Sequence, residues 1–283
     1  IRQGTEPPRM DTVIGYESAA GSLMNARTDS YLGQVTGYLS TLTDDPARAV
    51  ALAKETMNHS APAERIAQDA TPLPHGFVVY AMFSIYPITA FAIVTISTLM
   101  TALGRRSVRS RLTAAPVSGR SRSLGAVGAC LVIGLVGWLW IFGLGVTALG
   151  ASAVTTSAPL LAIVGAALGA FMLFAVSLGF LLGQISPGQN VASAVANIGG
   201  MVLSFLAGAW VSIEWLPDAV IQASKFTPGY WAAQAISGAY TATSISADVI
   251  RPLLVDCGIC TLFAVAILSV AMAVGRARAR SSL

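Results

Sequence analysis

The sequence predicts an all-α integral membrane protein, with five spanning helices preceded by an N-terminal helical segment outside the membrane. Three observations carry this. Of 283 residues, 17 are Lys or Arg and 13 are Asp or Glu, so only 11% are charged, against roughly 25% in a soluble domain. Ser123 to Ile213 is a run of 91 residues without a charge, several times the ~20 apolar residues that cross a bilayer. Residues 1–76 hold 15 of the 30 charges, so polarity is segregated along the chain.

The polar segment, residues 1–76, reads as helical. From Gly15 to Leu42, apolar residues (Leu23, Met24, Tyr31, Leu32, Val35, Tyr38, Leu39) recur at three- and four-residue intervals. Asp44–Asp45–Pro46 is a helix start, with a capping acid and a proline in the first turn, and the Ala-rich stretch to Met57 would be that helix. Ser60 to Pro74, with Pro62, Pro72 and Pro74, reads as a linker. Few large apolar residues are present, so the segment is expected to pack against other outer loops. Asn58–His59–Ser60 matches a glycosylation sequon, and chance suffices to explain it.

Residues 77–283 form the expected transmembrane domain. Its spans run from Phe77 to Leu103 (with Pro87 inside), and from about Leu124 to Ala148, Leu160 to Leu182, Val191 to Ile213 and Pro252 to Val274. They have 23 to 27 residues each, or roughly 35–40 Å at 1.5 Å per residue, enough to cross with some tilt. Barrel strands would be about ten residues with strict alternation, a pattern the chain lacks.

Charge sets the orientation. Arg105, Arg106, Arg109, Arg111, Arg120 and Arg122 lie between the first two spans, and Arg276, Arg278 and Arg280 follow the last. Neither segment contains an acid. Cytoplasmic loops collect Lys and Arg, and the four crossings between the two clusters return the chain to the same side. Residues 1–76 then fall outside, which implies a further spanning helix upstream and a six-helix parent with both ends cytosolic. The formal net charge of +4 is this topological arginine, not a nucleic-acid surface.

Several chemistries are excluded. Lys54 and Lys225 are the only lysines and neither follows Gly, so there is no Gly-Lys-Ser/Thr phosphate cradle and ATP cannot bind in the P-loop manner. His59 and His75 lie outside the expected spans and no span carries two acids, which argues against an intramembrane hydrolase. No catalytic residue and no metal site is expected. Ion-coupled transporters place ionisable groups near the midplane, whereas Glu214, Arg251 and Asp256 border the outer surface. Arg251 and Asp256, five apart, fit interfacial anchoring better than gating. Cys257 and Cys260 form a CxxC within an apolar helix and read as packing residues, as does Cys130.

Gly165 with Gly169, and Gly179 with Gly183, are small-xxx-small pairs of the third span, suited to close helix contact within the chain or with a second subunit. Gly199, Gly200 and Gly208 in the fourth span allow the same choice. The loop from Gly104 to Ser123 has helical spacing (Arg105, Arg109, Leu112; Val108, Arg111) until Pro116 ends it. Such an amphipathic helix would lie on lipid headgroups or enter a partner's groove. After the fourth span, Trp215–Leu216–Pro217, then Phe226–Thr227–Pro228–Gly229–Tyr230–Trp231, then Ala232 to Tyr240 suggest a short interfacial or re-entrant helix, not a sixth span.

With these features in place, residues 77–283 resemble the permease subunits of type-2 ATP-binding-cassette (ABC) exporters, the subgroup with an enlarged first outer loop. The resemblance rests on the basic loop Gly104–Arg105–Arg106 through Ala115–Pro116, the polar turn Gln184–Ile185–Ser186–Pro187–Gly188–Gln189–Asn190, and the ordered run Phe205–Leu206–Ala207–Gly208, Trp215–Leu216–Pro217, Phe226 to Trp231. It implies six helices per permease, a second permease (identical or related), and cytosolic ATPase subunits that hold ATP and Mg. The basic loop would be the coupling helix: Val108 and Leu112 seat in the ATPase groove, and Arg105, Arg106, Arg109 and Arg111 meet acidic residues or lipid headgroups. Gln184, Ser186 and Gln189 would form a second cytosolic contact, although that turn carries no basic residue. Glu214, Pro217, Pro228, Tyr230 and Trp231 would form an outer gate or re-entrant segment.

The resulting expectation is a non-enzymatic permease in a bacterial plasma membrane. It would export an amphiphilic drug, lipid or peptide, because the spans offer apolar and hydroxyl surface without fixed charge. Without its first helix this stretch alone would not transport. The competing reading is a membrane-anchored interaction or secretion-accessory protein whose outer segment binds a partner.

Overall fold

The computed structural model describes residues 19–58, 73–114, 116, 118–185, 189–211 and 213–281. The chain divides into two compact units, Ile1–Ile66 and Ala67–Leu283. The expected linker from Ser60 and the sequon's His59 and Ser60 lie outside the described residues, apart from Leu73 and Pro74.

The first unit is a helical hairpin of α1 (Ala19–Thr41) and α2 (Pro46–Asn58). The Asp45 carboxylate accepts from the Ala47 amide at 3.0 Å, satisfying one of the orphan donors at the start of α2. Ala49 and Ala53 are fully buried, small enough for α1 to lie close against α2. Tyr38 and Thr56 hydroxyls meet across the pair at 2.8 Å, and Gln34 Nε2 reaches Met57 Sδ at 3.8 Å.

The second unit is a helix bundle, and among its described residues no strand occurs. Its elements are α3 (His75–Phe83), α4 (Ile85–Gly104), α5 (Arg106–Ala114), α6 (Gly119–Leu149), the single turn α7 (Ala153–Thr156), α8 (Ala158–Ile185), α9 (Gln189–Ala194), α10 (Gly200–Leu206), α11 (Asp218–Ser224), α12 (Pro228–Thr241) and α13 (Ala247–Ser281). Among the described residues, five helices are long and apolar enough to cross a membrane: His75–Gly104, Ser121–Leu149, Ala158–Ile185, Gln189–Leu206 and Ala247–Arg278. The five expected spans are therefore present, with most ends reaching beyond the apolar stretches.

The first span is interrupted at Ser84. Pro87 has no N–H and its ring crowds the carbonyl four residues back, at Phe83, where α3 ends and α4 begins. The Ser84 hydroxyl donates to the Tyr80 carbonyl at 2.7 Å, beside the Ser84 N–H that bonds to the same oxygen at 2.9 Å. The second span starts from a Ser118 cap, whose Oγ accepts from the Ser121 amide at 3.2 Å.

The fourth span departs from expectation. It ends at Leu206 instead of running to Ile213. Gly208 sits in the left-handed region (φ 80°); its N–H bonds to Phe205 O at 3.0 Å, and the Ala209 N–H bonds to Ser204 O at 3.1 Å. This pair is the Schellman arrangement that closes a helix at a glycine. Gly208 is thus the helix stop and not, as expected, a packing glycine within the span. Between α9 and α10 the same span widens into a π turn, Val195–Gly199.

At the centre lies α8, packed against α13, α4, α12 and α6. Its most apolar window is 78% buried, against 17% for α6 and 22% for α13. Phe171, Phe180, Leu160, Leu168 and Val164 of α8 are among the largest fully buried side chains, together with Phe77, Ile85, Ile88, Ile93 and Ile96 of the first span.

Candidate functional site

The two ends of the bundle differ in character. At one end, Gly183 of α8 faces Met100 and Ser97 of α4, and Gly275 of α13 lies against the Gln184 amide, so α4, α8 and α13 finish together. The Arg-rich loop and the Arg-rich tail that were expected on one side leave from this end.

From the C-terminus of α4 the chain turns through Arg105, whose extended backbone (ψ 138°) breaks the helix, into α5. Arg105, Arg106 and Arg111 are exposed, and Val108 is half-buried. Arg109 and Leu112 fall on the same nine-residue helix, and their side chains lie outside the described residues. Pro116 follows the end of α5, as expected. The structure thus places a short basic helix with exposed arginines between two spans.

The neighbouring turn begins at Gln184, in the last turn of α8. No basic residue of α8 itself sits near the carbonyls there, which carry the negative end of the helix dipole. Arg278 of α13 supplies the charge: its Nη1 donates to Gln184 O at 2.5 Å. The Gln184 side chain lies over Gly275, where an added Cβ would stand 3.0 Å from Oε1. Ser186 lies outside the described residues, and Gln189 opens α9, exposed. Sequence reading missed this link because Arg278 counted there only toward topology.

The paired glycines are filled from within the chain. Gly165 and Gly169 receive Phe142 and Trp138 of α6, which stack at 5.5 Å with 8° between planes, and Trp138 Nε1 donates to Gly165 O at 3.0 Å. Gly179 and Gly183 take α4, with Ala92 O only 2.9 Å from the place of a Cβ on Gly179. These four are helix-packing positions, and their small side chains explain why α6 and α4 approach α8 so closely.

At the opposite end, the stretch after α10 folds back as a 3-10 turn (Ile213–Trp215), α11 and α12. With 14 residues, α12 is about 21 Å long at 1.5 Å per residue, too short to span. It enters the bundle nonetheless, packing on α8, α13, α3 and α10, with Pro228, Gly229, Ala232, Ala233, Ala235, Ile236 and Ala239 buried. Gly229 faces the Leu203 carbonyl, 3.0 Å from the place of a Cβ. Trp231 Nε1 donates to Lys225 O at 2.8 Å, and the Tyr230 ring meets Trp231 edge-on at 5.3 Å. Pro217 is exposed beside the buried Leu216. Glu214 stands in the 3-10 turn, its side chain outside the described residues. Arg251 and Asp256 both lie on α13, about 140° apart around the helix; Arg251 is exposed and Asp256 half-buried.

Among the described residues, no three His, Cys, Asp or Glu side chains converge as a metal site needs. The three cysteines are buried and free.

A multi-pass helical membrane protein with a basic inter-span helix at one end and a short helix packed into the bundle at the other is defined by this geometry. The chain matches the model of the ABC-2 family transporter proteins over residues 12–273, and it belongs to that family, as a membrane permease of an ABC transporter. The match takes in most of the first unit as well as the bundle. No curated protein and no solved structure matches the chain.

Proposed function

We propose that this chain is the membrane-spanning subunit of an ATP-driven exporter, moving an amphiphilic cargo outward across a plasma membrane. A separate cytosolic ATPase would bind ATP and Mg, and a second permease, identical or related, would complete the path. The observation that carries the reading is α5: a short basic helix with a half-buried Val108, held between two spans at the end where α8 and α13 also finish. A helix of this size would offer two apolar residues one turn apart, Val108 and Leu112, to a partner's groove, and its arginines to acidic rims. Closure of the ATPase dimer would push α5 and, through it, α4. The turn at Gln184, Ser186 and Gln189 would be the second point of push, tied to α13 by Arg278.

At the other end, Pro217, Pro228, Tyr230 and Trp231, with Glu214 in the turn before them, would form the outer gate, and the first unit would be the enlarged outer loop. Absence of fixed charge along most of the spans supports an amphiphilic cargo, because a charged solute would find no counter-charge within the bundle.

The test is a pull-down of the full-length protein from native membranes, comparing it with Val108→Asp/Leu112→Asp. Recovery of an ATPase subunit with the first and its loss with the second supports the reading. If no ATPase accompanies the unaltered protein, the exporter reading fails.

A further inference from the structure

The fourth span contains the one π turn among the described residues, and three features surround it. The Tyr86 hydroxyl of α4 meets Asn197 Oδ1 at 2.9 Å, and Asn197 Nδ2 donates to the Ser193 carbonyl, also at 2.9 Å. Asn197 therefore bonds both to the first span and to its own backbone four residues back, inside the widened turn. Gly199 ends the turn and Gly200 follows it, a pair that weakens α-helix; Gly199 has open space beside it, and Gly200 lies against the Tyr86 ring.

The third feature is Ser204, one turn further along α10. It is fully buried, and its hydroxyl is without a hydrogen-bond partner among the described residues. A buried hydroxyl in hydrocarbon ordinarily finds a partner, and a serine in a regular helix has its own i−4 carbonyl within reach. The span is thus pinned by one polar pair and left unsatisfied at another position.

A π turn holds one residue more than an α turn. Absorbing that residue turns one half of a helix against the other by about 100° and shifts it by about 1.5 Å. The exposed residues Met201, Val202 and Phe205 of α10 follow i, i+1, i+4 spacing, so they form one face and would swing together.

We propose that Val195–Gly199 is a two-register element of the fourth span, with the Tyr86–Asn197 hydrogen bond as its latch. With the bond made, the turn stays wide. With the bond broken, the turn tightens to α geometry and α10 rotates. Two opposing preferences act on one helix: the latch favours the wide register, and the backbone's ordinary preference for α over π geometry favours the tight one. The inference does not depend on cargo or on the ATPase.

The experiment uses the full chain in lipid vesicles, with Cys130, Cys257 and Cys260 replaced by Ala, and spin labels on Phe205→Cys and Leu131→Cys. Leu131 lies on α6 and is exposed. Labelled protein is diluted with unlabelled protein, and the distance distribution is measured by double electron–electron resonance. A turn of about 100° at a side-chain radius of about 5 Å displaces the label by about 8 Å.

Tyr86→Phe keeps the ring and removes only the latch, so a second distance should gain population, at least fivefold over the starting protein. Asn197→Leu should act in the same direction. If Tyr86→Phe and Asn197→Leu both leave the distribution unchanged, the proposal is wrong.

Discussion

Replacing Gly179 by Ala tests whether the approach of α4 to α8 sets the stability of the bundle. The added Cβ would stand 2.9 Å from Ala92 O, 3.2 Å from Ile93 Cα and 3.2 Å from Ile96 Cβ. Two of those three atoms are backbone, so no side-chain rotation relieves the clash and the helices must separate by roughly 0.5 Å to restore ordinary contact near 3.5 Å. Overpacking of this kind costs about 1–3 kcal/mol. Ala is also the better helix former by about 1 kcal/mol, which offsets part of the loss. Gly258→Ala on α13 isolates the steric term, because nothing lies within 4 Å of its Cβ position and it carries the same propensity gain. The two variants should therefore differ by about 1–3 kcal/mol, or about 2–12 °C in Tm at 2–4 °C per kcal/mol. The assay is thermal unfolding of the purified full chain in one detergent, followed by tryptophan fluorescence. If Gly179→Ala melts as high as Gly258→Ala, the close approach of α4 and α8 is not what holds the bundle.

Three further outcomes follow from the same contacts. Trp138→Phe keeps an aromatic ring to stack on Phe142 but loses the bond to Gly165 O; it should cost about 0.5–1.5 kcal/mol, read as a Tm drop in the same assay. Arg278→Ala removes the positive charge at the C-terminal end of α8, worth about 0.5–1 kcal/mol at an exposed helix end; amide exchange in Leu181–Ile185 should quicken roughly two- to fivefold while the α6 core stays unchanged. Asp45→Ala removes the cap of α2 at about 1 kcal/mol; exchange should rise roughly fivefold in the first turn of α2 and nowhere in α8.

The sequence announces the spans through the absence of charge, and α5 through arginine and apolar residues at helical spacing ending in Pro116. Both signals are local, so both survive without tertiary context. The fourth span's end was not legible in the same way, because residues 207–213 are nearly as apolar as the helix before them. Only the backbone at Gly208 distinguishes the two, and a glycine in an apolar run reads equally as a packing residue. The π turn was less legible still: Val195–Gly199 looks like any helical stretch, and the bond that pins it comes from Tyr86, 111 residues earlier. The Arg278 link spans 94 residues and could not be read from composition. Aromatics and prolines signalled a short helix after Pro228, but its entry into the core depends on Gly229 and four buried alanines meeting partners on other helices.

Hydropathy alone could not rank the helices by position. Along their apolar stretches α6 and α8 are almost equally hydrophobic, yet 17% of one and 78% of the other is buried. Lipid is as apolar as leucine, so apolar content does not draw a membrane helix to the centre. The difference lies in small residues. Gly165 and Gly169 of α8 admit the α6 aromatics, and Gly179 and Gly183, on the same stripe about 20 Å further along, admit α4; the buried Ala167, Ala170 and Ala175 keep its other sides small. On α6, by contrast, Leu131, Val132, Leu135, Val136, Leu139 and Trp140 form an exposed, bulky face, and Gly134 and Gly137 turn toward Val176 of α8 and Phe91 of α4. A helix with small residues around its circumference accepts neighbours on every side and becomes central; one with bulky side chains over much of it stays peripheral. The centrality of α8 thus follows from a glycine stripe that serves two helices at two heights and from alanines on its remaining sides, a pattern present in the sequence but visible only once the neighbouring helices are assigned to each face.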